Sequence, residues 1–224
     1  YHDWYGVEVS PDRIVVTSGS SAGFLLSFLS LFDAGEAVGI ADPGYPSYRN
    51  ILKALDLVPA RIEGTLANRF QPTVSDLALG LAGLLAASPA NPTGSMLDRA
   101  HLTALIDGCA ARGIAFISDE IYHGIQYGKR PVTALEVSDD VFVINSFSKY
   151  FSMTGWRVGW MVVPDTHVRT VERLAQNLFI CPPHASQIAA LAALDADEEL
   201  EANCAVYARN REVLMNALPG MGFD

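Results

Sequence analysis

Two patterns alternate along this chain. Short apolar, β-branched runs occupy 14–17, 37–40, 84–87, 114–117, 141–144 and 159–163. They are too short for helices and end on glycine, proline, aspartate or serine, so they read as buried strands. Between them lie longer segments whose apolar residues recur every three or four positions: 22–32, 45–55, 98–112, 166–179 and a long one from His184 towards Ala217. These are predicted helices, the last ended by Leu218-Pro219-Gly220. Such alternation predicts an α/β chain, a three-layer α/β/α fold around a mainly parallel mixed sheet. The link from 144 to 159 is too short for a parallel crossover, so the final strand is expected to run antiparallel.

Composition narrows the class. Half of the 224 residues are apolar, enough for a substantial core. The net charge is −10, from 25 acidic and 15 basic residues, which argues against a nucleic-acid surface. No apolar run reaches the roughly 20 residues of a membrane span. The longest, 24–32, is better read as a buried helix. Cys109, Cys181 and Cys204 are few and far apart, as in a reducing compartment such as the cytoplasm and unlike a disulfide frame. Cys181-Pro182-Pro183-His184 makes half a metal site, so no metal is expected. The chain opens without methionine, on what reads as a helix end at Tyr1 to Gly6. It breaks off at Gly222-Phe223-Asp224, so a piece of a longer protein is expected.

Polar residues gather just after the predicted strands. Lys149 follows the run 141–144 within Ser146-Phe147-Ser148-Lys149, with Arg157 eight residues on. A lysine there can be a snorkelling surface charge. It can also be a desolvated amine of lowered pKa, able to bond an aldehyde as a Schiff base. Thr17-Ser18-Gly19-Ser20-Ser21 follows the first strand and opens a helix. That makes either a plain serine cap or an anion site built from helix N–H groups and hydroxyls. Asp42-Pro43-Gly44-Tyr45-Pro46-Ser47-Tyr48 and Ser88-Pro89-Ala90-Asn91-Pro92-Thr93-Gly94 read alone as turns. Asp119, at the end of the run 114–117, needs a cation or a donor if it is buried, or else caps a helix after it.

Taken together, in this order and spacing, these motifs resemble the class I/II aminotransferases, pyridoxal-phosphate enzymes of fold type I, over essentially the whole chain. The resemblance implies a cofactor-binding large domain at 1–205. It also implies an interdomain helix ending in 206–224, before a small domain that is mostly absent. Lys149 is then the lysine that forms the Schiff base with pyridoxal 5'-phosphate. Ser20, Ser21, Ser146, Ser148 and Arg157 would hold the phosphate, and Tyr45 would lie on the pyridine ring. Asp119 would pair with the ring nitrogen, and Asn91 and Tyr122 with the phenolic oxygen. Glu120 is read as structural. Lys149, Asp119 and Tyr45 are the expected catalytic set.

The implied reaction moves an amino group between an amino acid and a 2-oxo acid. The same motifs suit a carbon–sulfur β-lyase, an aminocyclopropane-carboxylate synthase, or an aminotransferase-like sensor domain of a transcription regulator. The apolar loop Phe179-Ile180-Cys181-Pro182-Pro183 implies a homodimer with shared sites. Gln176 stands where some aspartate-specific members carry an arginine, which speaks against a dicarboxylate substrate.

Overall fold

The computed structural model describes residues 1–77 and 80–223. A single helical turn, α1 (His2–Tyr5), precedes β1 (Ile14–Thr17) and α2 (Ser20–Leu31). Then come β2 (Ala37–Asp42), α3 (Pro46–Ala54), β3 (Val58–Glu63), β4 (Leu81–Ala87), α4 (Arg99–Ala110) and β5 (Ala115–Asp119). The chain continues through β6 (Phe142–Ser146), β7 (Gly159–Val162), α5 (Asp165–Leu178), α6 (His184–Ala193) and α7 (Asp197–Ala217).

The seven strands form one sheet in the order β1-β7-β6-β5-β4-β2-β3. The pairs β2–β3, β2–β4, β4–β5 and β5–β6 are parallel. β7 runs antiparallel to β6 on one side and to β1 on the other, as the short link predicts. Because side chains alternate across a strand, neighbours divide between two cores. Leu84, Phe116, Val143 and Val162 meet Leu102, Leu105 and Ile106 of α4 on one face. Leu85, Ile117, Ile144 and Met161 meet Phe24 and Phe28 of α2, Leu52 of α3 and Val171 of α5 on the other. This is the expected three-layer arrangement.

Two expectations need correction. β3 is absent from the predicted strands. Val58-Pro59-Ala60-Arg61-Ile62-Glu63 breaks the apolar pattern with a proline and two charges, and only Ile62 is buried. It is an edge strand, where a missing N–H and polar side chains are tolerated. The predicted long helix from His184 is two helices, divided at Leu194-Asp195-Ala196. The second restarts with Asp197, Glu198 and Glu199 in its first turn, where the positive end of the helix dipole favours acids.

Candidate functional site

The C-terminal ends of the parallel strands deliver the polar residues to one side of the sheet, the usual place for a ligand in an open α/β fold. There a cleft of about 150 Å³ is lined by Ser20, Ser21, Tyr45, Asn91, Tyr122, Ser148, Lys149 and Arg157 of the predicted set. Tyr48, Ile121 and Thr154 complete the lining. Asp119 and Ser146 lie behind it, both buried.

One end of the cleft gathers groups that can hold an anion. Gly19 caps α2 with φ +75°, a conformation L side chains rarely adopt, and the guanidinium of Arg157 lies against it. An ideal Cβ on Gly19 would stand 2.5 Å from Nη2 of Arg157. Only glycine lets the arginine come this close to the N-terminus of α2. Arg157 itself has φ +52° and donates from Nη1 to the Thr154 carbonyl at 3.1 Å. A non-glycine residue in this region is strained by about 1–3 kcal/mol. Gly159 allows a second close approach. A Cβ there would stand 2.7 Å from the Asn145 carbonyl oxygen and 3.1 Å from the Ser20 nitrogen. Thus β7 brings Arg157 to the turn after β1. Ser146 Oγ lies 2.9 Å from Ser148 Oγ and accepts the Ser148 N–H at 3.1 Å. Thr154 Oγ1 donates to the Ser148 carbonyl at 2.7 Å. The two serines and Thr154 fix the turn that carries Lys149.

Lys149 is half-buried and not sealed in the interior. Its Nζ stands 5.3 Å from the centroid of the Tyr122 ring, in cation–π range. Tyr122 is also reached by Asn91, whose Nδ2 lies 3.5 Å from the phenol oxygen.

The far side holds a buried carboxylate. Asp119 Oδ1 accepts the Ile121 N–H at 3.1 Å, and Oδ2 accepts the hydroxyl of Tyr48. Asp119 therefore caps a turn, and no helix comes after it. Burial pushes its carboxyl up to about 6, while the Tyr48 and Ile121 donors pull the other way. Burial and the same contact push the Tyr48 phenol well above its ordinary value. Tyr45 packs its ring edge-on against Tyr48, centroids 5.5 Å apart.

All ten residues singled out in the sequence come to this cleft or directly behind it. Tyr48 and Thr154 do so as well and were not singled out. Tyr48 carries a readable signal, since it lies three residues after Tyr45 and opens the same helix. Thr154 has no such signal, because its contact depends on how the turn 150–157 folds back. Among the described residues, no group of three or more His, Cys, Asp and Glu is placed to hold a metal ion. No described helix is long and apolar enough to cross a membrane.

At 47% identity, the whole chain aligns with 60% of the valine–pyruvate aminotransferase of Mycobacterium tuberculosis. It is 34% identical to a (5-formylfuran-3-yl)methyl phosphate transaminase of Methanocaldococcus jannaschii, again over 60% of that protein. A Silicibacter pomeroyi crystal structure assigned as an aminotransferase superposes on the whole chain with a TM-score of 0.98 and 63% identity. The chain covers 60% of that structure, so it spans about three fifths of the length of the proteins it matches. The sequence pattern of aminotransferase class I and II matches residues 1–224 from end to end, and the chain belongs to that family.

Proposed function

We propose that this chain is the cofactor-holding part of a pyridoxal-phosphate-dependent aminotransferase that exchanges an amino group between an amino acid and a 2-oxo acid. The observation that carries the reading is the placing of Lys149. It stands in one cleft between an arginine and serine cradle and a buried carboxylate.

The donor set fits pyridoxal 5'-phosphate. The glycine-dependent approach of Arg157 to the start of α2 suits a phosphate, with Ser20, Ser21, Ser146 and Ser148 as further ligands. Asp119 suits the pyridine nitrogen, Asn91 and Tyr122 the phenolic oxygen, and Tyr45 the ring face. When bound, the cofactor supplies an aldehyde for the lysine amine and a ring that draws electrons from the substrate Cα. The protein supplies the rest. Lys149 Nζ takes the Cα proton of the substrate. Asp119, ionised beside a cation, keeps the ring nitrogen protonated. Arg157 and the serines hold the phosphate still while proton transfer proceeds.

The likeness to a valine–pyruvate aminotransferase supports an apolar amino acid with a short monocarboxylic 2-oxo acid as partner substrate. Gln176, exposed on α5, fits that choice because it offers no cation to a second carboxylate. The three free cysteines fit the cytoplasm. Residues 1–205 are assigned to the cofactor domain, and 206–224 carry the end of α7 towards a smaller one. We also assign a homodimer. Ile180 is 82% exposed beside Phe179, which lines an apolar groove with Leu25 and Ile51. Light scattering of the full-length protein should give twice the chain mass, and an active monomer removes the shared site.

The deciding experiment is a screen of amino acids against 2-oxo acids with full-length, cofactor-loaded protein. Matched formation of the new amino acid and the new 2-oxo acid is expected. Ammonia and pyruvate released from cysteine-type substrates, with no amino transfer, would assign a lyase instead.

A further inference from the structure

Directly behind Tyr122 lies a buried polar cluster that the proposed chemistry leaves unused. His123 is 2% exposed and Glu120 is 1% exposed. The ring Nε2 of His123 lies 2.9 Å from the Ser88 carbonyl oxygen. A carbonyl only accepts, so Nε2 carries the proton. The other nitrogen, Nδ1, lies 2.6 Å from the hydroxyl of Tyr5 on α1. With Nε2 protonated, a neutral ring leaves Nδ1 as an acceptor, and Tyr5 donates to it.

Glu120 Oε1 accepts the Ser118 hydroxyl at 3.0 Å and the Ala134 N–H at 2.8 Å. Oε2 has no hydrogen-bond partner among the described residues and stands 3.6 Å from Nδ1. Tyr1 and Glu136 also face the cluster, and the Arg130 guanidinium covers the Tyr5 ring at 4.7 Å. Burial pushes His123 down to about 4 and Glu120 up to about 7, so the ring is uncharged at neutral pH.

Ser88 opens the turn that carries Asn91, and His123 comes directly after Tyr122 in the next turn. The Nε2 bond therefore ties together the two turns whose side chains meet at 3.5 Å in the cleft. We propose that His123 is a positioning residue: held between the Ser88 carbonyl and the Tyr5 hydroxyl as the neutral, Nε2-protonated ring, it sets the spacing of Asn91 and Tyr122. This rests on the reading that those two side chains serve the cofactor's phenolic oxygen, whose hydrogen bonds shift the pH at which the cofactor's visible absorption changes.

The test uses full-length protein with two readouts. In the cofactor-free form with ¹⁵N-labelled histidine, His123 should show a protonated Nε2 and a bare Nδ1, unchanged from pH 5.5 to 8. A charged ring or a mixture of tautomers overturns the proposal. With pyridoxal phosphate bound, H123F should move the midpoint of the visible titration by half a pH unit or more. H123Q, whose amide can still donate to Ser88, should restore it. An H123F variant that titrates like the wild type overturns the positioning role alone. Should H123F fail to fold, Y5F keeps the ring and its Ser88 bond but loses the donor that seats Nδ1. The tautomer should stay Nε2-protonated and the midpoint should move in the same sense, and an unchanged midpoint in Y5F overturns the positioning role. A wild-type protein that takes up no pyridoxal phosphate removes the functional reading, and the positioning role falls with it.

Discussion

The hydroxyl of Tyr48, on the first turn of α3, donates to Oδ2 of Asp119 at the end of β5, and both residues are buried. Two donors thus hold a carboxylate that burial alone would push further towards its neutral form. In the cofactor-free protein Asp119 should ionise near pH 6. Affinity for pyridoxal phosphate should rise with pH through that value. Tyr48→Phe removes one charge-assisted hydrogen bond, worth about 1.5–3 kcal/mol, so the midpoint should move up by about one unit or more. Titrations of cofactor affinity against pH with coincident midpoints would sink this assignment.

Lys149 is one of three lysines in the sequence, with Lys53 and Lys129. Borohydride treatment of the loaded protein should fix the cofactor on Lys149, read by peptide mass spectrometry. Label on Lys53 or Lys129 contradicts the site. Lys149→Ala should lose about 10²–10⁴-fold or more in turnover, the usual weight of a general base. It should still bind the cofactor, because the anion cradle lies on other residues.

Gly19→Ala tests that cradle. The new methyl would meet Arg157 Nη2 at 2.5 Å in a backbone conformation unsuited to alanine. The arginine has to retreat from the start of α2. The ratio of affinities for pyridoxal phosphate and for pyridoxal should fall by about tenfold or more, the weight of one charge-assisted bond. Pyridoxal affinity itself should change little. Equal losses for both ligands would mean a folding defect and no phosphate role.

Glu120→Gln should alter the pH dependence of stability. The folded carboxyl is pushed from 4.5 up to about 7. A raised value means that the folded protein holds the proton more tightly. That contribution is complete below pH 4.5 and is lost as pH rises through 7. Relative to the glutamine variant, the wild type should therefore weaken between pH 5 and 8, by roughly 3 kcal/mol at most. Urea unfolding of both proteins across that range measures it, and parallel profiles would refute it.

The strands that hold the site were legible because they are buried on both faces and written in β-branched residues. Val143-Ile144 and Phe116-Ile117 could hardly be read otherwise. β3 was not, since an edge strand keeps only one inward residue, Ile62. Lys149, Arg157 and Asp119 could be picked out from local motifs next to strands. The Tyr5–His123–Ser88 chain could not, because it joins residues from three distant segments and is defined by ring orientation. The split between α6 and α7 was hidden for a different reason. Alanine and leucine continue through Leu194 to Ala196, and the break depends on where the acidic turn of α7 begins.

β7 sits between β1 and β6, and β1 has no other neighbour among the described strands. The first strand of this segment can therefore join the sheet only when the last has arrived, after roughly 140 residues of intervening chain. During synthesis from the N-terminus, β2 to β6 can assemble while β1 and the start of α2 wait beside an open edge. Gly19 and Arg157 then meet only once β7 is in place. A chain halted before Gly159 would carry the lysine, the aspartate and the arginine but would lack the strand that brings Arg157 against the start of α2. The contact between Gly19 and Arg157 forms in the same event that closes the sheet.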